Sequence, residues 1–92
     1  MSALSQDEAT LAPLPAKMVQ IHEDWLYFHL SRARDARSRM ERAHPSDDDY
    51  LIDKVEREDA IGAASTHFER LKAVHHELSP LLAGMVEAEG LS

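Results

Sequence analysis

Six histidines and seventeen acidic side chains share a chain of 92 residues, and imidazole with carboxylate is the donor set of zinc, iron and manganese sites and of general acid/base catalysis. His22 and His29 are two helical turns apart, as are His67 and His75. In a helical hairpin, counting outward from the turn brings His22, Glu23, His29, Asp59 and His67 into one neighbourhood. His22, His29, His67 and Asp59 are therefore the candidate metal ligands. His75-His76-Glu77 offers a second imidazole–carboxylate set, but neighbours on a helix point about 100° apart and cannot converge from one chain. The three glycines, Gly62, Gly84 and Gly90, form no phosphate-binding loop. No Ser, His and Asp triad is indicated by spacing, so catalysis is not expected.

Glu41 and His44 form a Glu-x-x-His pair, the spacing that carboxylate-bridged metal bundles place on two of their helices. In this the chain resembles half-length, two-helix ferritins, which would imply a metal-binding dimer. In that family the pair belongs to the second helix, and here Glu56, Glu58 and Asp59 are not followed by one. Arg39 and His44 match an Arg-x-x-x-x-His spacing found in some helical ribonucleases, whose domain is longer than this chain. The turn His44-Pro45-Ser46-Asp47 resembles the Pro-Ser-Asp turn of secretion-needle hairpins.

The elements that must position these groups are helical. Ile61, Ala64, Phe68, Leu71, His75, Leu78, Leu82 and Met85 alternate spacings of three and four, a helix period that a strand cannot generate. Upstream, Met18, His22, Trp25, His29, Ala33, Ala36, Met40 and Ala43 recur likewise, with Leu14, Ile21 and Phe28 widening the face. Ser5 and Glu8 have the form of a capping box for a short first turn, which Pro13 and Pro15 interrupt. Pro45 ends the first long helix, and Ser46 with Asp47, Asp48 and Asp49 restarts the next beside the positive end of its dipole. Ser79 and Pro80 suit the N-cap and first residue of a third, short helix.

The expected organisation is one helical domain over 1–92: an arm over 1–14, helix 1 over 15–44, helix 2 over 46–79, and a short helix or tail over 80–92. A short connection between two long helices makes an antiparallel hairpin the economical topology. It also explains the charge blocks. Arg32, Arg34, Arg37, Arg39 and Arg42 sit late in helix 1, and Asp47, Asp48, Asp49, Asp53, Glu56, Glu58 and Asp59 sit early in helix 2, so antiparallel packing sets them side by side. Such pairs select register more than they stabilise, at ~0–1 kcal/mol each when exposed. Counting places Trp25 and Phe28 opposite Gly62, Ala63, Ala64 and Ser65, small residues that would accept the rings.

Both helices carry broader apolar faces than one contact line covers, which points to an all-α hairpin pairing into a dimeric four-helix bundle. The expected interface residues are Trp25, Phe28, Phe68, Leu71, His75, Leu78, Leu82 and Met85. Leu81, Leu82, Met85 and Val86 are the candidate surface for a protein partner, since Pro80 could release this end from the bundle. A net charge of −7 argues against direct nucleic-acid binding. No run approaches the apolar length of a membrane span, and the start lacks a basic, apolar leader. The absence of cysteine fits a reducing cytoplasm. The expected class is thus a soluble, unprocessed, non-enzymatic interaction protein without a cofactor. The alternatives are a histidine–carboxylate metalloprotein, and an acidic decoy for a basic nucleic-acid-binding surface of another protein.

Overall fold

A computed structural model describes residues 15–91; the expected Ser5–Glu8 capping box and the rest of 1–14 lie outside the described residues. Three helices follow one another: α1, Ala16–Arg42; α2, Asp48–Ala73; and α3, Pro80–Ala88. α1 and α2 pack antiparallel as a hairpin roughly 40 Å long at 1.5 Å per residue, and α3 folds back against α1. The all-α hairpin expected from the sequence is the observed fold.

Each boundary has a local cause. Pro15 precedes α1 and its carbonyl accepts from the amides of Met18 and Val19. At the turn, Pro45 stops the first helix, and the His44 amide donates to Asp47 Oδ2 at 3.2 Å. Asp47, one residue after the expected Ser46, is the N-cap of α2, with Asp48 and Asp49 in the first turn beside the helix dipole. Ser79 Oγ accepts from the Leu82 amide at 3.3 Å, and Pro80 is the first residue of α3, as anticipated.

Helix 2 does not run to Ser79. It stops at Ala73 in a Schellman turn, in which the His75 amide donates to the Lys72 carbonyl and the His76 amide to that of Leu71. His75 occupies the left-handed position of this turn with φ 56°, a place usually taken by glycine. α3 ends in the same motif with Gly90 at φ 79°, the Leu91 amide donating to Val86. The expected place of His75 in the apolar row is not the one observed. His75 is exposed, while His76 turns inward to lie 3.4 Å from Glu23.

The core is made by Leu26 and Leu30 of α1, Ala64, Phe68 and Leu71 of α2, and Leu82 and Val86 of α3, with Val19, Leu78, Met85 and Leu91 against it. Towards the turn only alanines are buried between the helices: Ala33, Ala36 and Ala60. Their small side chains let the backbones approach closely. The arginine and acid blocks meet as expected, Arg32 with Glu56 and Asp59, and Arg39 with Asp53. One contact was not anticipated: Glu89, its side chain 2% exposed, lies 2.9 Å from Arg37 and 3.5 Å from Arg57. It ties the end of α3 to both long helices.

Candidate functional site

Two features of the hairpin have chemistry beyond packing, and both lie on the side that α3 leaves uncovered. At 100° per residue, Leu30 and Arg37 lie just to one side of Leu26, and there α3 meets α1 through the core and Glu89. Trp25, Ile21 and Phe28 lie about 100–160° round the other way. On α2 the same division separates Arg57 from Glu56, Asp59 and Ile52.

The first feature is a ring cluster between α1 and α2. His22 Nδ1 and His67 Nδ1 are 3.0 Å apart, a distance at which one nitrogen donates and the other accepts. His29 stacks within 5.8 Å of His67, and both are nearly parallel to the Trp25 indole, at 5.5 and 6.2 Å. Arg32 Nη1 donates to His29 Nδ1 at 2.9 Å, so this imidazole is bonded in its neutral form. Burial and the nearby Arg32 charge depress the His29 pKa, with Asp59 acting in the opposite sense. Burial also depresses that of His67, followed by the charges of His22 and His29.

The sequence reading brought His22, His29 and His67 together, and the structure does the same. Asp59 goes elsewhere: its Oδ2 accepts from Arg32 Nη2 at 3.0 Å, while Glu56 Oε1 takes Nε and Nη2 at 3.2 Å. These bonds, that to Asp59 foremost, hold the guanidinium pKa above its ordinary value. Among the described residues no three His, Asp or Glu side chains are grouped so as to hold a metal ion. Glu41 pairs with Arg37, and His44 Nδ1 accepts from the Ser46 amide within the turn. Part of the acid run is engaged within the chain, Asp53, Glu56 and Asp59 each facing an arginine.

The second feature is the open apolar face. Trp25 and Phe28 are 48% and 50% exposed and meet edge to face at 5.7 Å. They do not sink between small residues of α2 as expected, because Leu26 and Leu30, on the neighbouring strip of the helix, fill the core against Ala64, Phe68 and Leu71. Met18 and Ile21 continue their stripe towards the N-terminal end of α1 and are also exposed. Across the face on α2, Ile52 and Val55 are about two-thirds exposed and line a groove of about 530 Å³ with Leu51, Glu56 and Asp59. Sequence reasoning missed this groove, although the exposed spacing Ile52, Val55, Asp59 repeats the three-and-four period that marks a helix seam.

Of the other expected interface residues, Phe68, Leu71 and Leu82 are buried within the chain itself, and Leu78 and Met85 pack against the same core. His75 belongs to the α2 terminal turn. Leu82 and Val86 are likewise not free for a partner, because α3 docks on the hairpin instead of being released at Pro80. Leu81 remains exposed. Among the described residues no helix is long and apolar enough to cross a membrane. Comparison of the chain with known protein families, curated proteins and solved structures finds no match in any of the three.

Proposed function

We propose that this chain is a small non-enzymatic interaction protein that acts by self-association and by binding a protein partner through the open face of its hairpin. One observation carries the reading: Trp25 and Phe28 are left about half exposed, and Ile52 and Val55 about two-thirds exposed, on the side opposite α3. Large apolar side chains grouped on one exposed face and bordered by charged groups mark contact surfaces, and here two such groups flank Arg32. Exposed tryptophan is also the residue type most concentrated at binding hot spots.

The histidines fit this reading as polar ring contacts at the border of the face. His22 and His67 bond each other and His29 bonds Arg32. Native mass spectrometry of the full chain purified from its host without chelator tests the reading, beside a Trp25→Ala, Phe28→Ala double variant. A metal-free self-associated species or partner complex is expected for the native chain and its loss in the variant, with the helical circular dichroism unchanged. A native chain that is monomeric and carries no partner would overturn it.

A further inference from the structure

The open face is divided in two by an ion cluster. Arg32, with Glu56 and Asp59, sits where α1 and α2 meet on this side. The Trp25/Phe28 ridge lies from it towards the open end of the hairpin, and the Ile52/Val55 groove lies towards the turn. Because the helices are antiparallel, ridge and groove fall on opposite sides of the cluster. At a rise of 1.5 Å per residue, both stand roughly 6–8 Å from it.

We infer that the occupant of the groove is the Trp25/Phe28 ridge of a second copy of this chain, the two copies being related by a two-fold axis through the Arg32 cluster. The inference rests on the self-association part of the proposed function and specifies its geometry.

Two observations carry it. A two-fold interface requires one surface to hold both halves of a complementary pair at equal distances from the axis, and this face has a projecting aromatic ridge and an apolar groove so placed. The second is extent. Half-exposed rings contribute on the order of 100 Å² each, and with Met18, Ile21 and the groove walls the face approaches the ~800 Å² per partner of a standard stable interface. The centre holds each Arg32 against its own Glu56 and Asp59, a net charge of −1 per cluster, so the two apposed clusters repel and the association should strengthen as salt screens them. An interface closing on these terms buries apolar surface at its two ends and keeps charge at its middle.

Because Phe28 and Val55 are both exposed, charge can be placed at either without disturbing the core. In sedimentation equilibrium on the full chain, Phe28→Glu and Val55→Lys should each weaken the native dimer by at least about tenfold, about 1.4 kcal/mol. Mixed one to one, the two variants should recover a dimer, since a two-fold that pairs Phe28 with Val55 gives one Glu–Lys contact and one native contact. Recovery instead by mixing Phe28→Glu with Phe28→Lys would show α1 facing α1 and overturn the inference while sparing self-association. A native dimer indifferent to both single variants would also overturn it alone. A monomeric native chain at several hundred micromolar would remove self-association itself, leaving only the partner-binding half of the proposed function.

Discussion

His22 of α1 and His67 of α2 face each other with their Nδ1 atoms 3.0 Å apart. The pair spans the hairpin beside His29, whose own Nδ1 accepts from Arg32. One proton can be shared across such a contact, but two protonated Nδ1 atoms at this distance would oppose hydrogen to hydrogen.

Stability should therefore depend on pH. His29 and His67 have depressed pKa values in the folded chain, whereas unfolding returns them to the ordinary value of about 6.5. Below that value the unfolded state binds more protons, so the contribution, complete above about pH 7, is lost as pH falls through the depressed values. Urea midpoints followed by circular dichroism from pH 8 to pH 5 should fall. His67→Gln should flatten the slope, and an unchanged slope would assign it to other groups.

Core truncation should separate buried from exposed apolar residues. Leu30 is fully buried, and Leu30→Ala should cost about 3 kcal/mol, within the range for leucine truncation. Trp25 is half exposed, so Trp25→Ala should cost about 1–2 kcal/mol, well below the 3–5 kcal/mol of a buried ring. Urea unfolding at low protein concentration, where association does not contribute, measures both.

Glu89 holds α3 in place. Its carboxylate is almost fully buried between Arg37 and Arg57, and Glu89→Gln removes the charge while keeping the shape. Both arginines are partly exposed, so the loss should be about 1–3 kcal/mol, below that for breaking a fully buried pair. Amide hydrogen exchange should accelerate in α3 before it does in α1 and α2. Uniform acceleration of all three would show that α3 is not a separable unit.

The two Schellman turns should respond oppositely to exchange of their central residues. His75→Gly relieves a left-handed conformation that costs a side chain about 1–2 kcal/mol, offset in part by the greater freedom of glycine when unfolded. A net gain of about 0.5–1 kcal/mol is expected. Gly90→Ala imposes the same strain at φ 79° and should lose about 1 kcal/mol. Thermal unfolding midpoints of the two variants give the signs.

What could be read from the residues follows from which signals are local. Pro45 with three aspartates after it, and Ser79 with Pro80, name their helix ends directly, and the arginine and acid blocks fix the hairpin register. The end of α2 carries no such punctuation: the row from Phe68 through Leu71 and His75 to Leu78 keeps its period across a Schellman turn with no glycine. Rotation of α1 was equally hidden. Leu26 and Leu30 neighbour Trp25 and His29 on the helix, and both rows have a helical period. Only the packing against Phe68 and Leu71 of α2 and Leu82 and Val86 of α3 decides that the leucines enter and the rings stay out. Counting from the turn places the three histidines in one broad neighbourhood of the hairpin, but whether their rings face one another depends on that same rotation, and the carboxylate at Asp59 is taken by Arg32.

A bare helical hairpin has two broad sides and, like a double-sided tile, can add neighbours without limit. Here the short last helix, pinned by Glu89, fills one side from within the same molecule. On the proposed self-association, growth would have only one direction left, and a unit with a single adhesive side ends a stack when it joins it. The nine residues of α3 would then limit assembly as well as complete the core, and shortening the chain before Pro80 is expected to leave both sides open to pairing.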